Sequence, residues 1–351
     1  MGEPRSTFLV TGGAGFIGST LVRMLIGQGQ DVITLDALTY AGNRRNLEAM
    51  AGDGRHTFVH GSICDRPLVD ALLAEHAPDF VINVAAETHV DRSIDGPAAF
   101  IETNVVGTAQ MLEAVREYGR DKGTAPRYVQ VSTDEVYGTI DEGVFTEESP
   151  FRANSPYAAS KASGDLLVRS YVKTYGMDAV ITNGSNTYGP RQFPEKLIPL
   201  MVLNAIESKK LPVYGDGRNV RDWLFVEDHA RGIIAAARHG QAGHNYNIGG
   251  GHEMQNIDLV HMLCAALDRM QARHDGQTYA GQITFVDDRP GHDFRYALSI
   301  ERARNDLGWQ PEKPFDTGFA ETIQWYLDNQ DWCRDIAETK YARQRLGRGK
   351  T

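Results

Sequence analysis

Thr7-Phe8-Leu9-Val10-Thr11-Gly12-Gly13-Ala14-Gly15-Phe16-Ile17-Gly18 is the stretch that decides the fold. Its first five residues form an apolar run of strand length, and glycines then stand at positions 12, 15 and 18. Ser19 to Gln28 carries apolar side chains at helical spacing through Leu21, Leu25 and Ile26, and Asp31-Val32-Ile33-Thr34-Leu35-Asp36 reads as a second strand closing on a carboxylate. A tight turn and a close approach of backbone to a pyrophosphate both exclude a Cβ. The helix start adds free N–H groups and the positive end of its dipole. Asp36 lies 18 residues beyond Gly18, where a carboxylate accepts hydrogen bonds from an adenosine ribose and repels a 2′-phosphate. The unit reads as a site for NAD in preference to NADP.

Outward from this unit, strands and helices keep alternating. Residues 57–60, 80–84, 128–131 and 179–182 have strand character, and helices are expected over 67–75, 97–118 and from Pro156 onward. Gly61–Asp65 and the polar stretch Ala85–Ser93 are read as loops at strand ends. Repeated βα units predict an α/β fold, a Rossmann-type doubly wound parallel sheet with helices on both faces. After Asn183 the pattern loosens. A loop over 184–199 is followed by helices over 200–207 and 226–237, a strand and turn over 212–217 and a strand over 245–248. Helices are expected again over 256–271 and 316–328. Residues 1–183 are assigned to the NAD-binding domain, with some later segments returning to it. Residues 184–351 are assigned to a smaller mixed α/β substrate-binding region.

The 351 residues suffice for a large core, and 41% apolar with 23% charged is ordinary for a globular protein. A net charge of −10 argues against nucleic acid as a partner, while leaving room for a pocket in which a few arginines grip a small anion. Cys64, Cys264 and Cys333 lack metal-ligand spacing and the 11 histidines do not cluster, so no metal site is expected and a reducing cytoplasm fits best. No apolar run is long enough to cross a bilayer, and a strand within seven residues of Met1 leaves no room for a signal peptide. Met1-Gly2 with Ser6 fits the loose myristoylation pattern, here read as coincidence ahead of a core strand.

Two further stretches carry chemistry. Ser132-Thr133-Asp134-Glu135-Val136-Tyr137-Gly138 closes a strand, and Tyr157-Ala-Ala-Ser-Lys161 opens a helix with the Tyr and Lys on one face. Tyr157 is suited to take a proton from a substrate alcohol while hydride leaves for the nicotinamide. A phenol titrates near ~10, so it needs help, which Lys161 and the positive nicotinamide supply, with Thr133 sharing the hydrogen bond. Asp134 and Glu135 admit two readings. They form a turn cap and a solvated residue, or they are the acid and base of a water elimination from a carbon chain acidified by a neighbouring ketone.

The Gly12-x-x-Gly15-x-x-Gly18 spacing and the Tyr157-x-x-x-Lys161 pair resemble the short-chain dehydrogenase/reductase superfamily. Within its extended branch, Ser132–Gly138 resembles the signature of the nucleoside-diphosphate-glucose 4,6-dehydratases. Asp36–Asn43, Ala85–Ser93, Gly189–Pro199, Val220–Asp228, Arg289–Asp293 and Arg295-Tyr296 support the likeness. It extends from about Phe8 to Tyr296 and is closest to the members acting on dTDP-glucose.

The resemblance implies a three-stage reaction on a nucleoside-diphosphate hexose. Tyr157, with Lys161 and Thr133, would take the C4 hydroxyl proton as hydride passes to NAD. Glu135 would remove the C5 proton, Asp134 would protonate the departing C6 hydroxyl, and the hydride would return to C6. The cofactor contacts would come from Gly12, Gly15, Phe16, Ile17, Gly18, Asp36, Thr39, Asn43, Ser62, Ile63, Ala85, Ala86, Tyr157 and Lys161. Glu87, Thr88 and Ser93 would line the sugar, and Arg221 and Arg289 would grip the diphosphate as planar, bidentate donors. Asn186, Lys196, Leu197, Pro212, Tyr214, Asn256, His292 and Tyr296 would complete the substrate side.

Three departures stand out: Ser62 where the family has Asp, and Asn183 and Thr187 in place of Arg and Asn, the latter two expected near the substrate. The rival readings are a 4-epimerase or decarboxylase of the same branch, the same dehydration of a UDP-sugar, and a non-catalytic NAD-binding regulator. Helices near 97–118 and 157–175 match those that pair into a four-helix bundle in this superfamily, so a homodimer is expected.

Overall fold

A computed structural model describes residues 4–339. The Met1-Gly2 part of the myristoylation pattern lies outside the described residues, as do the last 12 residues of the C-terminal region. The main sheet starts with β1 (Thr7–Thr11), β2 (Asp31–Asp36), β3 (His56–His60), β4 (Phe80–Asn83), β5 (Arg127–Thr133) and β6 (Ala179–Gly184). The chain then leaves it to form β7 (Asn186–Tyr188), β8 (Leu211–Tyr214) and β9 (Val220–Phe225) before β10 (Asn245–Ile248) rejoins it. Among the described residues this sheet has seven strands in the order β10-β6-β5-β4-β1-β2-β3, all paired in parallel.

Parallel strands covered on both faces must be apolar on both, and successive residues alternate between them. Thus Val10, Ile82 and Val129 pack under the helices Phe16–Gly27 and Val226–His239, whose Leu21, Leu25 and Ile233 complete that core. Leu9, Val81 and Ile181 face the other way, against Leu73, Leu112 and Val168 of the helices Arg66–His76, Thr108–Lys122 and Pro156–Tyr175.

The excursion between β6 and β10 and the C-terminal segments build a second core. Its helices Leu197–Ile206, Asn256–Met270 and Phe315–Asp328 surround Met201, Leu263 and Ile323. Two small sheets border it, β7 and β9 with β11 (Glu253–Gln255), and β8 with β12 (Ile283–Val286).

Several boundaries differ from expectation for local reasons. The first helix begins at Phe16 rather than Ser19, because it springs directly from the glycine turn. The stretch read as the loop Ala85–Ser93 contains the start of a helical turn, Val90–Asp95, capped by the His89 ring accepting from the Arg92 N–H. The helix expected over 97–118 runs on from Ala98 to Lys122, and its Ile101–Gly107 portion is π-helical. Loop 184–199 contains β7. β9 was not expected at all, because Arg221 and Asp222 interrupt its apolar pattern while being buried in it.

Candidate active site

Strand order reverses between β1 and β4, so the carboxyl ends of the central strands open onto a crevice. A cavity of about 310 Å3 occupies it, bordered by Asp36, Thr39, Ser62 and Ile63 on one side and by Thr133, Asp134, Glu135 and Tyr157 on the other. Gly12, Gly15, Phe16, Ile17, Gly18, Ala85 and Ala86 line it as well. Gly12 has φ +66°, and a Cβ there would lie 2.7 Å from the Ala85 nitrogen. One on Gly18 would lie 2.1 Å from the Gly12 carbonyl oxygen. The helix that follows has no side-chain cap, which leaves its first N–H groups for an anion. Asp36 accepts from the Ala14 and Leu38 N–H groups at 2.9 and 2.7 Å, so it ties the turn while bordering the cavity. A cradle that a Cβ would fill, an uncapped helix start and a buried carboxylate fit NAD. Ser62 Oγ accepts from the Cys64 N–H at 3.1 Å and holds its own loop. Asn43 is set back from the wall, where its Oδ1 accepts from the Arg45 N–H at 3.0 Å and caps the short helix Arg44–Met50.

After Thr133 the chain turns at once into the 3-10 turn Asp134–Tyr137, which brings both carboxylates to the same cavity. Thr133, not Asp134, caps this turn, its Oγ1 accepting from the Glu135 N–H at 3.3 Å and donating to Asp134 Oδ1 at 3.1 Å. Asp134 is 2% exposed, and its Oδ2 has no partner among the described residues. Burial, then the negative charges of Glu135 and Asp222, hold its carboxyl well above the usual range. Burial also raises Glu135, but Arg289, Lys196 and Arg221 pull it back. Adjacent acids in unequal surroundings can serve as one acid and one base. The Tyr157 phenol is pushed up by burial and the charge of Glu135, and a hydrogen bond with Thr133 opposes this. Lys161 donates to the Val131 carbonyl at 2.7 Å and borders neither cavity. Burial lowers its pKa to about 8, opposed by the charge of Asp165.

A second cavity, about 250 Å3, adjoins the first and shares Glu135, Asn186, Glu195 and Lys196 with it. Leu197, Pro212, Tyr214, Arg221, Asn256, Arg289 and His292 line it. The buried Arg221 guanidinium donates to the carbonyls of Val220, Asp293 and Phe294 and lies 4.5 Å from the centre of the Tyr296 ring. Arg289 pairs with Asp91, leaving its Nε without a partner among the described residues. Asn186 Oδ1 and Asn256 Oδ1 are in the same condition. Buried polar atoms left unpaired around a cavity point to a polar ligand. Lys196 Nζ donates to the Thr88 carbonyl at 3.0 Å, and Glu87 and Thr88 border the first cavity. Ser93 and Tyr296 border neither. Ser93 Oγ accepts from the Tyr157 N–H at 3.1 Å, and Tyr296 donates to Asp293 at 2.6 Å behind Arg221.

Sequence reasoning passed over Glu195 and His229. Glu195 is 6% exposed, paired with Arg92 at 2.9 Å, and borders both cavities. Its signal lay in its place beside Lys196 in the Gly189–Pro199 stretch. Asn183 and Thr187, expected near the substrate, differ in their placement. Asn183 is fully buried within β6, donating to the Thr133 carbonyl at 3.2 Å and bordering neither cavity, while Thr187 borders the first cavity, which Thr133, Asp134, Glu135 and Tyr157 also line.

Residues 9–322 match the family model for GDP-mannose 4,6 dehydratase. A dTDP-glucose 4,6-dehydratase of Xanthomonas campestris pv. campestris (strain B100) is 52% identical over 347 residues, covering 97% of this chain and 99% of the relative. The dTDP-glucose 4,6-dehydratase 1 of Escherichia coli K12 is 50% identical over 348 residues, covering 95% and 96%. The crystal structure of DesIV, a dTDP-glucose 4,6-dehydratase from Streptomyces venezuelae with NAD and TYD bound, superposes with a TM-score of 0.87. It has 47% identity and covers 94% of this chain and 99% of that one.

Proposed function

We propose, from the premise that this chain belongs to the GDP-mannose 4,6-dehydratase family, that it catalyses the NAD-dependent 4,6-dehydration of dTDP-glucose to the 4-keto-6-deoxy sugar nucleotide. It is a hydro-lyase of the extended short-chain dehydrogenase/reductase type. The observation that carries this reading is Glu135 bordering both cavities, with the buried acid Asp134 beside it.

When bound, NAD supplies a reversible hydride acceptor for sugar C4 and donor for C6. Tyr157, hydrogen-bonded to Thr133, takes the C4 hydroxyl proton. The resulting ketone acidifies the C5–H, and Glu135 removes that proton. Asp134, kept neutral by burial and by the charge of Glu135, protonates the departing C6 hydroxyl, which leaves as water. Glu135 then returns its proton to C5 as C6 is reduced. Tyr157 then gives up the C4 proton and Asp134 regains one by exchange with solvent, so the net change is loss of one water. Lys161 acts from behind the wall through its charge. Arg221, Arg289 and Lys196 face the diphosphate, and Pro212, Tyr214, Asn256 and His292 face the nucleoside.

An epimerase or decarboxylase has no use for adjacent acids, one buried and one half-buried, beside Tyr157. The reading also takes the chain as a homodimer in the reducing cytoplasm. Exposed Ile101, Val106 and Leu166, on the helical stretch Ala98–Lys122 and on Pro156–Tyr175, support the dimer, and the free cysteines Cys64, Cys264 and Cys333 support the compartment. A sedimentation mass of one chain would contradict the dimer. Incubation with dTDP-glucose should give the alkali-induced absorbance of a 4-keto-6-deoxy sugar. Product from UDP-glucose alone would move the specificity, and none from either would overturn the reading.

A further inference from the structure

His229, on the helix Val226–His239, is 2% exposed, and nothing in the mechanism uses it. Its ring lies against Gly184, where a Cβ would be 2.4 Å from Cε1 and 2.5 Å from Nε2. Gly184 pairs in register with Thr133, and neighbouring strands run ~4.8 Å apart. The ring is therefore at the Tyr157 end of the first cavity rather than the Asp36 end.

The contacts of Thr187 Oγ1 favour one tautomer of the ring. Thr187 Oγ1 donates its single proton to the Ser185 carbonyl at 3.1 Å. With that proton assigned to the carbonyl, the 2.7 Å contact with His229 Nδ1 is one that Oγ1 accepts, which puts the imidazole proton on Nδ1. Nε2 remains a bare acceptor, buried and without a partner among the described residues, on a residue that borders the first cavity. Burial also lowers the ring's pKa to about 4, which keeps that acceptor available at neutral pH. A buried acceptor with no donor is costly, and here the missing donor is a ligand N–H.

NAD carries amide or amine N–H groups at its two ends, the adenine amine and the nicotinamide carboxamide, and the ring is at the nicotinamide end. We propose that His229 Nε2 accepts a hydrogen bond from the carboxamide N–H, which fixes the rotation of the nicotinamide against Tyr157. Gly184 makes room for the imidazole and Thr187 selects its tautomer. The contact rests on the NAD reading given above.

The probe is 3-acetylpyridine adenine dinucleotide, whose methyl ketone replaces the carboxamide and offers no N–H. Competition dialysis against labelled NAD gives the affinity ratio of the two dinucleotides without reference to turnover. His229→Phe keeps an aromatic ring but removes the acceptor, and should cut the wild-type preference for NAD by about fivefold. Affinity for the analogue should stay within about twofold. If His229→Phe does not fold, Thr187→Val tests the same point, because loss of Oγ1 frees the tautomer and should lower the ratio in the same direction. An unchanged ratio in the folded variants would overturn the contact alone. A wild-type protein that binds neither dinucleotide would overturn the cofactor reading and the contact together.

Discussion

Asp134 is held up by burial and by the charges of Glu135 and Asp222, whereas Glu135 is drawn back down by Arg289, Lys196 and Arg221. The difference assigns the acid and the base, and two substitutions separate them. Glu135→Gln should slow release of the C5 hydrogen to solvent by about 100- to 10,000-fold, the usual weight of a general base, as read by loss of deuterium from C5-labelled substrate. Asp134→Asn should leave that exchange nearer wild type while slowing formation of the 6-deoxy product by about 100-fold, as read by mass spectrometry. The two carboxylates were legible as candidates from their place beside Thr133. Their division of labour came from the family resemblance alone, because the residues that set it electrostatically, 196, 221 and 289, lie far along the chain. Glu195 was hidden for a similar reason: beside Lys196 it reads as half of a surface pair until Arg92 and the two cavities are seen around it.

Among the elements, the π-helical stretch Ile101–Gly107 positions one side chain that the site depends on. Asn104 Oδ1 accepts from the Glu87 N–H at 2.9 Å, and its Nδ2 donates to the Glu87 carbonyl at 3.0 Å and to Ser160 Oγ at 2.9 Å. It thus ties the loop carrying Glu87 and Thr88 to the helix carrying Tyr157. Asn104→Ala should lower stability by about 1–3 kcal/mol in denaturant titration and raise KM, since buried partners lose their bonds. The glycine turn is less forgiving. Gly18→Ala drives a Cβ to 2.1 Å from the Gly12 carbonyl, and the purified protein should carry less NAD, read by its absorbance after denaturation. The turn, the helix behind it and the alternating strands were legible because period and glycine spacing are local. β9 was not, because its buried Arg221 and Asp222 find their partners in other segments, at Asp293, Gly250 and His252.

For the whole molecule, acid should be the weak side. His229 and His292 are both lowered by burial to about 4 from an ordinary 6.5. Between those values the unfolded chain binds more protons than the folded one, so stability rises with pH through the window and falls as pH drops from 6.5 toward 4. Thermal midpoints measured across that range should decline toward acid, with a shallower slope in His229→Gln. The sheet order was legible only in part, since nothing local in Asn245–Ile248 announces that it pairs with β6. That pairing has a consequence during synthesis. When a ribosome has released residues up to Gly184, six strands exist but β6 is an open edge, and its partner is still more than 60 residues from being made. The nascent chain must keep that edge from sticking to its neighbours until β10 emerges, so a truncation ending near residue 184 should precipitate where the full chain stays dispersed.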